Sequence, residues 1–199
     1  MISKVATSQK TVKQNQISKE QNSSTFSFLT DFNASLINSK TNFLDFSLQL
    51  KSRITTKGKI KFCNTDFCDA TKTNPKQIQN TKLTNLFHPE MPKVILEYVS
   101  NNLETGVDAF AIIKHIDNNG KTIWLNSHFS PNQSNNFNIA FTINANPTSQ
   151  ETIKKIEHIY NTIFLLENHV SYEIAKKYFE GLLEMEYGNY EGFMINAFQ

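Results

Sequence analysis

The 199 residues are 39% apolar and include 16 phenylalanines, enough for one domain with a real core. Formal net charge is only +2 and Arg53 is the sole arginine, so the bidentate contacts that read guanine and phosphate are scarce and nucleic acid is excluded as the main partner. No run approaches the ~20 apolar residues of a membrane span, and no apolar leader follows the N-terminal lysines, so the expected compartment is the cytoplasm.

Residues 1–24 are Lys, Gln, Asn, Ser and Thr with scattered Ile and Val, and no period holds. With a mean hydropathy of −0.42 for the chain, this predicts a disordered lead. Residues 25–43 form an N-terminal amphipathic segment, because Phe28, Leu29, Phe32, Leu36 and Ile37 share one helical face behind an N-cap at Ser24 or Thr25.

The folded domain is expected over residues 44–146. Phe46, Leu48 and Leu50 alternate with Ser47, Gln49 and Lys51, which predicts a first strand. Thr56-Lys57-Gly58 supplies a turn, and Lys59-Ile60-Lys61-Phe62 alternates again as the second strand. Short helices are predicted over 65–71 and 75–79, with Pro75 in a first helical turn. Cys63 and Cys68 lie five apart, which could be half of a metal site with His88 as a third ligand, but zinc sites usually pair their cysteines at C-x2-C, so they read as small buried thiols.

Leu86-Phe87-His88-Pro89-Glu90-Met91-Pro92 must break the backbone, since prolines three apart cannot sit inside a helix. A helix restarts there with Pro89 or Pro92 in its first turn, carries Val94, Ile95, Tyr98 and Val99 on one face, and stops at Gly106. Two strands, 107–116 and 121–130, flank the turn Asn118-Asn119-Gly120. Phe137, Ile139, Phe141 and Ile143 alternate as the last strand.

Residues 147–199 read as a C-terminal helical extension with an N-cap at Thr148 or Ser149. Ile153, Ile156, Tyr160, Ile163 and Leu166 make one stripe, and Ile174, Tyr178, Leu182 and Met185 make another. These helices either cap their own sheet or carry a signal to another chain. The heptad pattern does not last long enough for a coiled coil.

This order of turn, helix, glycine stop and hairpin resembles the PAS domains of the aerotaxis (Aer) type, whose flavin-binding members carry Arg-His-Pro-Asp-Met-Pro at the turn. Gly58, Ile60, Phe62, Asn64 and Phe67 stand where PAS domains place their Gly-x-Ile-x-Phe/Tyr-x-Asn-x-x-Phe signature. The resemblance implies an α+β fold: a PAS-like five-stranded antiparallel sheet with short helices on one face, plus flanking N- and C-terminal helices. It implies that Asn64 caps the chain as it leaves the second strand. It also places a cofactor pocket at Phe87, His88, Glu90, Met91, Phe110, His115 and Trp124, with His88, His115 and Trp124 approaching one cavity.

The sequence departs from the flavin-binding pattern in three places. Phe87 replaces the turn arginine, Ala109 or Phe110 stands where a tryptophan is usual, and the Lys-Asn-Arg run reads Lys114-His115-Ile116. No phenylalanine or isoleucine reproduces an arginine fork on phosphate, which weakens the case for FAD. Haem on a single histidine is disfavoured against capping and core roles, and a cofactor-free domain stays open. No phosphate-cradling loop, nucleophile elbow or paired metal-binding histidines is present, so an enzyme is not expected. Two functions remain. One is a redox or energy sensor of the aerotaxis kind acting on a chemoreceptor-like partner. The other is a cofactor-free module for dimerisation or scaffolding, including a homodimer.

Overall fold

The computed structural model describes residues 40–132 and 139–198. The expected lead, the amphipathic segment up to residue 39 and Phe137 lie outside these. Strands β1 (Leu50–Thr55), β2 (Ile60–Cys63), β3 (Ala109–Ile116), β4 (Thr122–Pro131) and β5 (Ile139–Pro147) form one 5-stranded sheet in the order β2-β1-β5-β4-β3. Every pairing is antiparallel.

The first strand begins later than its alternation suggests. The Asp45 carboxylate accepts a hydrogen bond from the Ser47 amide at 2.8 Å and turns the chain, leaving Phe46 64% exposed. Regular alternation then starts at Leu50, with Leu50, Ser52 and Ile54 buried and Lys51 and Arg53 exposed. Asn64 ends β2 as expected. Its side-chain oxygen accepts from Phe67 N at 3.1 Å, capping helix α1 (Thr65–Thr71), and from Lys51 N at 2.9 Å. Its amide nitrogen donates to the Gln49 carbonyl at 2.6 Å, so one residue ties β1, β2 and α1.

Helix α2 (Pro75–Ile78) starts with Pro75 in its first turn and a reciprocal capping box between Asn74 and Gln77. A 3-10 turn, Leu83–Leu86, leads into the proline turn. Helix α3 (Lys93–Glu104) follows with Pro92 at its N-cap, one place before the helical turn expected for it. In the β3–β4 hairpin the Asp117 carboxylate accepts from Asn119 N at 2.9 Å and Lys121 N at 2.8 Å. Gly120 there adopts φ +75°, a conformation that favours glycine.

The chain ends in helices α4 (Gln150–His169), α5 (Tyr172–Leu182) and α6 (Tyr190–Phe198), with a π-helical segment, Leu183–Tyr187, between the last two. Ser149 caps α4 through Thr152 N at 3.0 Å. Of the two expected apolar stripes, Ile153, Ile156, Tyr160 and Ile163 on α4 are buried. The second stripe is mostly not: Ile174 and Tyr178 on α5 and Met185 in the π-helical segment are exposed, Leu182 is half-buried against the core, and the helix buries Ala175 and Phe179 with Leu183 beyond it. Phe179 meets Tyr98 and Phe193 edge-on, so an aromatic cluster fixes which face of α5 turns inward.

The hairpin register defines two faces of the sheet. Lys114 opposes Trp124 and His115 opposes Ile123, so Lys114 and Trp124 share one face while His115 shares the other with Leu125, Ser127 and Phe129. Phe67 and Leu83 meet His115 on that second, inner face. Trp124 on the outer face meets Tyr160 of α4 with ring centroids 5.7 Å apart. The helices thus lie on both sides: α1 on the inner face and α4 on the outer.

Candidate functional site

The proline turn is sewn to β3. Phe87 bridges to His115, and His88 N donates to the Lys114 carbonyl at 2.9 Å. The Lys114 amide in turn donates to the Met91 sulfur at 3.3 Å, and Lys114 Nζ pairs with the Glu90 carboxylate at 2.6 Å. Phe87 also meets the His115 ring edge-on at 5.4 Å.

Both buried histidines are held neutral. His88 Nδ1 accepts from Glu90 N at 3.1 Å, which assigns its proton to Nε2. His115 Nδ1 lies 3.1 Å from the Leu86 carbonyl and therefore donates. Burial pushes the His88 pKa down to about 4, with Lys114 adding to the effect and Glu90 opposing it. Burial likewise lowers His115 to about 4 against the Leu86 hydrogen bond.

The space between sheet and helices is lined by Phe67, Phe87, His115, Leu125, Phe129 and Ile143, among others, and amounts to about 10 Å³. That is room for about one water molecule. Of the residues the sequence suggested, Phe87 and His115 line this space, His88 and Met91 are buried in the turn, and Glu90 sits on its rim beside Lys114. Trp124 and Phe110 are placed elsewhere. Trp124 lies on the outer face under Tyr160, with Lys114 Nζ 5.5 Å from its ring centre. Phe110 is 51% exposed and stacks on His128 at 4.3 Å. The shared cavity for His88, His115 and Trp124 is therefore not formed, because adjacent strand positions face opposite ways. The inward residues Leu125, Ser127 and Phe129 carry no signal in the sequence beyond strand alternation, and Ile143 stands out there only as part of the last strand.

A second arrangement was not foreseen. Among the described residues β3 is an edge strand, with backbone carbonyls that no neighbouring strand meets. Three of them are met from outside the sheet. Phe110 O accepts from Tyr190 Oη at 3.0 Å, Ile112 O from Tyr160 Oη at 2.8 Å, and Lys114 O from the His88 amide. The C-terminal helices also finish α3: the Glu167 carboxylate accepts from Val94 N at 2.8 Å and Lys93 N at 3.0 Å. Burial raises the pKa of Glu167 above the usual carboxylate value, against those two amides and Lys93. The sequence signal for this clamp is a lone acid late in an amphipathic helix, which any solvated helix also carries.

Cys63 and Cys68 are free thiols with sulfurs 3.4 Å apart, and burial pushes Cys63 up to about 12. Among the described residues no three His, Cys, Asp or Glu side chains gather into a metal-binding group. No helix among them is long and apolar enough to cross a membrane.

An antiparallel sheet of this order, with its short helices on the inner face, is the PAS architecture. Residues 51–145 match the family model described as PAS domain, and that segment of the chain is a PAS domain. No curated protein matches the chain. Among solved structures it is similar to the PAS domain of a Colwellia psychrerythraea protein (16% identity, 50% of this chain and 84% of that one, TM-score 0.44). It is also similar to the light-state structure of the blue-light photoreceptor Aureochrome1 LOV (17%, 57% and 90%, TM-score 0.47). A third is the PAS domain of nitrogen regulation protein NR(II) from Vibrio parahaemolyticus (13%, 50% and 89%, TM-score 0.43).

Proposed function

We propose that this chain is a PAS signalling module that works through protein contact and holds no flavin between its sheet and helices. The observation that carries this reading is the void of about 10 Å³ behind Phe87. A three-ring isoalloxazine does not fit there unless several core side chains leave, and large voids in cores are costly to open. Phosphate recognition lacks its usual donor as well. Arg53, the sole arginine, stands on β1 with its guanidinium carbon 5.6 Å from the Phe62 ring centre, and Lys114 is engaged by Glu90. A haem meets the same void, and His88 and His115 already bond backbone groups.

An aerotaxis-like redox role needs a bound flavin, so the same experiment decides both. The full chain is expressed with excess riboflavin, purified, and its visible spectrum and extracted chromophores are recorded. A colourless protein that also leaves the fluorescence of added FAD and FMN unchanged supports the cofactor-free module. A stoichiometric flavin overturns it.

A further inference from the structure

We propose that the exposed face of α5 is a self-association surface at which two copies of this chain pack their α5 helices antiparallel, crossing at Gly181. The proposal deepens the reading of a contact-driven module by naming the partner as a second copy. Ile174, Tyr178 and Met185 repeat at spacings of four and seven and are 45%, 38% and 87% exposed. Val170, at the C-cap of α4 just before this helix, is 63% exposed. The opposite side of α5 is already satisfied: Phe179 is fully buried, and Lys176 and Tyr172 reach Glu97 on α3. Among the described residues nothing covers the apolar stripe.

Two observations favour a second copy over other occupants. The first is Gly181 in the middle of the stripe. Glycine inside a helix is disfavoured relative to alanine, yet a Cβ added here meets nothing within 4 Å, so no internal contact requires its absence. A close helix crossing does. The second is charge. Lys177 precedes Gly181 by one turn and Glu184 follows it by nearly one, and neither makes an ion pair within the described residues. A two-fold axis at Gly181 brings each Lys177 beside Glu184 of the partner subunit, so the face is complementary to itself. In the π-helical segment Leu183–Tyr187, Leu183 is buried and Met185 is exposed at the far end of the stripe.

Sedimentation equilibrium of the full chain tests this, with circular dichroism confirming that each variant is folded. The wild type is expected to dimerise reversibly. Met185→Glu is expected to raise the dimer dissociation constant at least about tenfold. Lys177→Glu and Glu184→Lys each weaken the dimer, and the double variant restores it. Gly181→Ala raises the melting temperature of the monomer while weakening the dimer, a pair of opposite signs that a purely structural glycine does not produce. A wild type that stays monomeric at every concentration overturns the proposal, whether residues 26–37 or a different protein then cover the stripe. So does a dimer indifferent to all these changes. Either failure leaves the cofactor-free reading standing, because the chromophore test is independent of oligomeric state.

Discussion

His115 carries the pH dependence expected of this domain. It is buried and neutral, with its pKa lowered to about 4 from the ordinary 6.5. In the unfolded chain it binds a proton below 6.5, whereas the folded chain refuses that proton until about 4, so stability falls as pH drops through this window. At pH 5 the loss is about 2 kcal/mol for this residue, and His88 acts in the same direction. Urea unfolding at pH 7.5 and pH 5 measures the difference, and His115→Phe is expected to shrink it by roughly half. Equal stabilities of the wild type at the two pH values would remove histidine burial as a factor. Tyr160 makes a sharper point. Its hydroxyl is the partner of the Ile112 carbonyl, and burial pushes its pKa well up. Tyr160→Phe keeps the ring and orphans a buried acceptor, at a cost of about 1–2 kcal/mol. The test is the shift in urea midpoint, with no change expected in the far-ultraviolet spectrum.

Among the elements, α3 depends most on sequence far from itself. Pro92 offers no side chain to its first turn, and Glu167, on a helix more than seventy residues later, caps two of its amides. Glu167→Ala is expected to destabilise the chain by about 1–2 kcal/mol, and Glu167→Gln by less, since the amide oxygen still accepts. Hydrogen exchange at Lys93 and Val94 should rise before the rest of α3 responds. Such a cap is invisible to local pattern reading, which finds caps only within the helix they start. What was legible obeyed a short-range rule: Asn64 as a cap, Pro75 in the first turn of a helix, the turn Asn118-Asn119-Gly120, and the alternation through Phe141 and Ile143 in β5. The misread strand at Phe46 shows the limit, because period-two alternation occurred where the side chain of Asp45 had already turned the backbone. Trp124 and Phe110 stand apart from His115 for a different reason: Trp124 lies directly across from Lys114, one residue out of phase with His115.

At the scale of the molecule, the matched PAS segment ends at residue 145, but its packing does not. The outer side of Trp124 is covered by Tyr160, the β3 carbonyls are met by Tyr160 and Tyr190, and α3 is capped from α4. The C-terminal helices therefore behave as part of the domain rather than as an appendage. Removing residues 148–199 would expose Ile112 and Trp124 and restore a free sheet edge, the surface on which strands of other molecules add. The truncated chain is expected to aggregate or to unfold at a much lower temperature than the full chain. Trp124 is the only tryptophan, so its fluorescence reports directly on this interface. In the full chain its emission should be blue-shifted and should move red in one cooperative transition, together with the loss of helical signal. Two separate transitions, with the helices melting first and a stable sheet remaining, would mean that residues 44–146 fold alone and that the clamp on β3 adds little.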